Sequence, residues 1–84
     1  MTIHDFIKKR PFLVWSTRNY DALSEAAIVE AVLNYGDFND VMDMFKILDI
    51  RKVASIFEKQ IKQRRTNYRP EIQNYFQLYF KKYA

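Results

Sequence analysis

Seven cations and a tyrosine fall between positions 51 and 69: Arg51, Lys52, Lys59, Lys62, Arg64, Arg65, Tyr68 and Arg69. Lysine and arginine at this density can track a phosphate backbone, and a tyrosine among them can stack on a base. The same footprint fits an acidic patch on another protein. It is also what the solvated side of an ordinary helix looks like. On a helix beginning at Ile50, a turn of 100° per residue places Arg51, Lys52, Lys59 and Lys62 between roughly 100° and 200° from Ile50. Ile50, Val53, Ala54, Phe57 and Ile61 form the opposing apolar stripe.

The other groups that could do chemistry are the carboxylates Asp37, Asp40, Asp43 and Asp49. A hard cation would need further oxygen ligands beside Asp40 and Asp43, whereas Asp37 and Asp49 stand where helix caps are required. No metal and no cofactor is expected. One histidine, His4, excludes triads and two-histidine metal sites, and it falls in what reads as a frayed first turn. The absence of cysteine excludes disulfides, thiolate nucleophiles and Cys-ligated metals. A single glycine, Gly36, excludes the phosphate-cradling loops that need several. With no nucleophile–base pair to assemble, the expectation is a protein that is not an enzyme.

The formal charge of +4 is unevenly spread. Residues 1 to 50 hold five basic and eight acidic groups, a net of −3, while residues 51 to 84 hold nine and two, a net of +7. Such a dipole favours an anionic partner, or one with the opposite pattern. No basic region followed by an apolar core marks an export signal, and the run from Ala26 to Leu33 is far short of the ~20 residues that span a bilayer. A soluble cytoplasmic protein with no membrane association is expected.

Positioning these groups falls to helices, because the apolar spacing is helical almost throughout 84 residues. The pattern predicts an all-α fold, a compact bundle of about five short helices in a single domain spanning residues 1–84. A first helix fits Ile3 to Arg10, capped by Thr2, stopped by Pro11 and burying Phe6 and Ile7. Pro11 to Asp21 reads as an anchored crossing segment with Trp15 as a core anchor. A second helix, starting near Asp21 or Ser24 and ending at Asn34 or Tyr35, is apolar nearly all round and is therefore expected at the centre. Gly36 is the residue free to end it in the left-handed conformation. A third follows Asp37, with Phe38, Val41, Met42, Phe45 and Leu48 inward. The fourth is capped by Asp49 and runs from Ile50 to about Gln60 or beyond. Pro70 opens the fifth.

That last helix is aromatic, with Ile72, Tyr75, Phe76, Tyr79, Phe80 and Tyr83 on one broad stripe. A chain of this size buries only about 60% of its extended surface, so some rings are expected outside. Tyr75, Tyr79 and Tyr83 are the candidates for an apolar interface with another protein or a second copy in a homodimer, since tyrosine combines a large apolar body with a hydroxyl that tolerates water. The alternative is the rim of an ordinary core.

Phe12-Leu13-Val14-Trp15, followed by Ile28-Val29-Glu30-Ala31-Val32-Leu33-Asn34-Tyr35-Gly36-Asp37-Phe38, resembles a family of small uncharacterised bacterial helical proteins often encoded beside nucleotidyltransferase toxins of the abortive-infection type. The resemblance spans about residues 12 to 80. Ser16 and Arg69-Pro70 depart from its pattern. It implies an antitoxin or accessory partner, whose basic face would mask an acidic, magnesium-binding active site on a toxin-type enzyme. The reading that follows is a protein-binding domain using Arg51, Lys52, Lys59, Lys62, Arg64 and Arg65 with exposed rings of the last helix. The alternative is a nucleic-acid-binding helical module using the cations of residues 51–69 with Tyr68.

Overall fold

The computed structural model describes residues 2–14, 19–63 and 66–84. Five α-helices account for most of them, and no strand occurs among the described residues. The helices are α1 (Ile3–Lys8), α2 (Glu25–Tyr35), α3 (Phe38–Leu48), α4 (Ile50–Ile61) and α5 (Pro70–Tyr83). The all-α bundle read from the apolar spacing is what the chain forms. Two short 3-10 turns, Pro11–Leu13 and Tyr20–Ala22, lie between α1 and α2. Trp15, Ser16, Arg64 and Arg65 lie outside the described residues, and with them the expectation for Trp15.

Capping residues fix the starts. Thr2 Oγ1 accepts from the Asp5 backbone N–H at 3.1 Å while Asp5 accepts from that of Thr2, a reciprocal box that satisfies two otherwise unpaired donors. The first turn is therefore held rather than frayed, and His4 Nε2 donates to the Leu23 carbonyl at 2.9 Å. Asp37 and Asp40 make the same box at α3, at 2.8 and 3.0 Å. Ser24 caps α2 through the N–H of Ala27. α1 stops at Lys8, short of the Arg10 expected from the position of Pro11.

The two ends of α3 invert the expected roles of glycine and aspartate. Gly36 has φ −73° and ψ 155°, ordinary extended backbone and not the left-handed conformation. Close approach is what requires glycine there, since a Cβ would lie 2.7 Å from the Val32 carbonyl oxygen and 3.0 Å from Asp40 Cβ. Among the described residues the one with positive φ, 67°, is Asp49. It ends α3 and begins α4 in one step, with its carboxylate accepting from the Arg51 N–H at 3.0 Å. With ψ 136° it lies outside the left-handed helical well that aspartate favours, so this junction carries backbone strain.

The core is one cluster. Ile28, Val29, Val32 and Leu33 of α2 meet Ile3, Phe6 and Ile7 of α1, Val41, Met44 and Leu48 of α3, and Val53, Ala54 and Phe57 of α4. α2 packs against α1, α3 and α4, as its composition implied, whereas α5 packs on α4 through Phe76 and Phe80. The burial of α2 is one-sided all the same. Ala27 is exposed and Ala26 and Ala31 are half-buried, because alanine favours helix without contributing much area to a core. In α3 the expected inward Phe38 is 62% exposed and Met44 takes the innermost place.

Arg10 joins the first helix to the third. Its guanidinium donates to Asp40 Oδ1 (Nε, 2.8 Å), to Asp43 Oδ2 (Nη2, 3.0 Å) and to the Phe6 carbonyl (3.3 Å), and its Cζ lies 4.0 Å from the centroid of the Phe6 ring. Burial pushes the Asp40 carboxyl up, but Arg10 and the Asp37 amide outweigh it and hold the group below its ordinary value.

Candidate functional site

The outer side of α4 presents Arg51, Lys52, Lys59 and Lys62, all exposed as the helical spacing predicts. Their charge is partly answered within the molecule. Lys52 Nζ lies 3.0 Å from Glu25 of α2, and Arg51 lies 3.8 Å from Asp49. Glu58 is exposed on the same helix, next to Arg51 at 100° per residue. Lys59 and Lys62 are the cations of this face without an ion pair among the described residues.

The segment after α4 departs from the expectation. Tyr68, expected as an exposed stacking ring, is 5% exposed. Its ring packs edge-on against Phe57 at 5.0 Å, and its hydroxyl donates to Gln60 Oε1, whose Nε2 donates to the Ala26 carbonyl at 2.8 Å. Burial, then the charge of Glu30, pushes the Tyr68 phenol well up. Arg69 is likewise committed to the fold. Its Nη2 donates to the Asn34 carbonyl at 2.7 Å, its backbone N–H reaches Asn34 Oδ1 at 3.4 Å, and its Cζ lies 5.5 Å from the Tyr35 centroid. A cation on a carbonyl of the last turn of α2 is also favourable for the helix dipole. Asn34 Nδ2 donates to the Asn67 carbonyl, and Asn67 Nδ2 to Glu30. These polar residues stitch residues 66–69 to α2 and α4. A phosphate-tracking loop is not their geometry.

The tyrosines of α5 fare differently. Tyr75 and Tyr83 are 51% and 56% exposed, and Tyr79 is half-buried between them, with centroids at 6.1 Å from Tyr75 and 4.7 Å from Tyr83. Tyr79 also stacks on Phe45 of α3 at 6.0 Å, and its hydroxyl points at Met42 Sδ, 4.0 Å away. Burial, then Tyr75 and Tyr83, raises its phenol above the ordinary range, so it stays a protonated donor. Around this ridge the surface is apolar on both sides. Phe38, Tyr75, Leu78, Tyr79, Lys82 and Tyr83 line one open groove. A cleft of about 230 Å³ between α3 and α5 is lined by residues including Leu33, Val41, Met42, Ile72 and Phe76. That volume is below the ~300–1,000 Å³ of small-molecule pockets. Of its lining, the carboxylate of Asp37 is already occupied in the helix cap.

Sequence reasoning missed the contribution of α3. From Val41, the inward Leu48 and Met44 lie at about −20° and −60°, while Phe45, Phe38 and Met42 lie at about +40°, +60° and +100°. An apolar arc so wide is more than one neighbour requires, and its outer edge carries the rings that join α5. Leu78, on the outer side of α5, is 61% exposed.

Among the described residues no group of three or more His, Cys, Asp or Glu side chains is placed to hold a metal ion. No described helix is long and apolar enough to cross a membrane. Comparison of the chain with protein-family models, with curated proteins and with solved structures gives no match.

Proposed function

We propose that the chain is a non-enzymatic protein-binding domain whose contact surface is the aromatic face shared by α3 and α5. The observation that carries this reading is the continuity of Phe38, Tyr75, Leu78 and Tyr83, each more than half exposed, around one groove. Large apolar side chains left outside in a contiguous patch mark interaction surfaces, and tyrosine-rich patches are typical of them. The cations of α4 are a second, electrostatic element. Lys59 and Lys62 would steer an acidic partner rather than supply most of the affinity. The resemblance of residues 12 to 80 adds a candidate for that partner, a nucleotidyltransferase-type toxin in whose acidic magnesium site these cations would find complementary charge.

The test is capture of the partner from the native host at moderate salt, with nuclease treatment, by wild type, by Phe38→Glu and by Lys59→Glu/Lys62→Glu. The expected result is a stoichiometric, nuclease-resistant protein that Phe38→Glu loses and the lysine variant retains with weaker binding at low salt. If the recovered material is nucleic acid, lost in the lysine variant, with log affinity falling linearly in log salt, the nucleic-acid reading replaces this one.

A further inference from the structure

Glu71, Tyr75, Leu78 and Lys82 are all exposed on α5. They follow one another at intervals of four, three and four residues, which places them within an arc of roughly 60° on the helix. This is the spacing of a helix-pairing seam, and it faces away from α4, on which α5 is packed through Phe76 and Phe80. Glu71 and Lys82 have no ion pair among the described residues. The ammonium of Lys82 lies 5.3 Å from the centroid of the Tyr83 ring, on the same groove as Phe38 and Tyr79.

The seam is self-complementary. Turned end for end about a point between positions 76 and 77, Glu71 falls on Lys82 and Tyr75 falls on Leu78. The two charges are about 16 Å apart along the axis, at 1.5 Å per residue. In an antiparallel pair each acidic end would therefore meet a basic end at the same height. A two-fold contact needs a patch that matches itself in this way. A patch of one charge sign, or with both charges at one end, could not do so.

We propose that the chain pairs with a second copy of itself through this outer seam of α5, antiparallel about a two-fold axis between positions 76 and 77. Glu71 of each copy faces Lys82 of the other, Tyr75 faces Leu78, and Phe38 and Tyr83 border the seam on the α3 side. The proposal rests on the reading of the aromatic face as a contact surface, and it names the occupant of that face. Two copies of Phe38, Tyr75, Leu78 and Tyr83, each still about half exposed, offer a contact at the small end of stable interfaces, so pairing is concentration-dependent.

Sedimentation equilibrium up to about 1 mM tests it, on wild type, Leu78→Glu, the single variants Glu71→Lys and Lys82→Glu, and the double variant Glu71→Lys/Lys82→Glu. All the substitutions are at exposed positions, and helical circular dichroism confirms that each variant is folded. The expected result is a wild-type dimer, no dimer with Leu78→Glu, dissociation raised about tenfold in each single charge variant through two lost attractions and two new repulsions, and recovery in the double variant. Singles without effect, or a double variant no better than either, overturn the antiparallel register. A wild type monomeric at every concentration overturns the pairing. In that case, loss of a heterologous partner by Leu78→Glu leaves the contact-surface reading standing, and unchanged capture removes both.

Discussion

Both terminal helices bury apolar side chains in the core, but what they add to it differs. α1 is held against α3 by one guanidinium shared between Asp40 and Asp43. α5 is held against α4 by rings, with Phe57 in contact with Tyr68, Phe76 and Phe80 at centroid distances of 5.0, 6.3 and 5.4 Å. A charge clamp can be compact, because two or three atoms satisfy one another, and it leaves little over: Ile3, Phe6 and Ile7 are all buried. A ring clamp is bulky. The helix that carries enough aromatic surface to dock also carries surface that the bundle does not cover, and the excess is the candidate site.

The largest expected effect breaks the aromatic side. Phe57 is 1% exposed and touches both buried rings of the last helix, Phe76 and Phe80, as well as Tyr68. Phe57→Ala removes those contacts and leaves a cavity, at a cost of about 3–5 kcal/mol. In a chain of this size that is a large fraction of the stability. Denaturant unfolding followed by circular dichroism should show the loss as a lowered midpoint.

The charge clamp gives a smaller effect with a pH signature. Arg10→Met keeps much of the packing on Phe6 and removes the partner of Asp40, whose side chain is 12% exposed. A cost of about 2–3 kcal/mol at neutral pH follows, below that of a fully buried pair, because Asp43 remains 45% exposed and can turn to water. In wild type the Asp40 carboxyl titrates below its ordinary value near 3.8. A depressed value means that the stabilisation is complete above the unfolded value and is lost as pH falls through the folded one. Without Arg10, burial still raises the carboxyl and the Asp37 bonds alone lower it, so the depression is smaller. The gap between the two proteins should therefore be full above about pH 5 and shrink toward pH 3, measured as the difference in urea midpoints. A pH-independent gap would mean that Arg10 acts only through its packing.

What the sequence disclosed follows the same division. Apolar period and capping residues are local signals, and they placed the starts of α1 at Thr2, α3 at Asp37, α4 at Asp49 and α5 at Pro70. The apolar stripe of α4 and the exposed Tyr75 and Tyr83 were equally readable. Non-local partners were not. Nothing near Arg69 in sequence points to the Asn34 carbonyl thirty-five residues earlier, so its charge read as surface. Gly36 read as a left-handed cap, because its position after α2 names a helix end but not how closely the Val32 carbonyl and Asp40, each four residues away, approach it. Phe38 read as core because its spacing fits the inner face, while the neighbour that would have covered it lies along Phe45 and Tyr79 instead. Surfaces are what remains after packing, and a residue's exposure depends on which neighbour arrives.

The smallest effect concerns a place where the aromatic side also uses a buried polar bond. Tyr68→Phe keeps the ring against Phe57 and removes the donor to Gln60 Oε1, which stays buried with its Nε2 still bound to the Ala26 carbonyl. The cost is the desolvation of an unpaired amide oxygen, about 1–2 kcal/mol, well below Phe57→Ala. Here too pH separates the causes. The Tyr68 phenol is raised in the folded chain, by burial first and by Glu30 second. Its contribution is therefore full below the ordinary value of 10.0 and declines as pH rises toward the folded value, the opposite sense to Asp40. The wild-type advantage over Tyr68→Phe should narrow above about pH 10, and tyrosinate absorbance should show one phenol titrating with unfolding in wild type and missing in the variant. If the advantage does not change across that range, the hydroxyl is reached by solvent in the folded protein, and residues 66–69 are held by Asn34 and Arg69 alone.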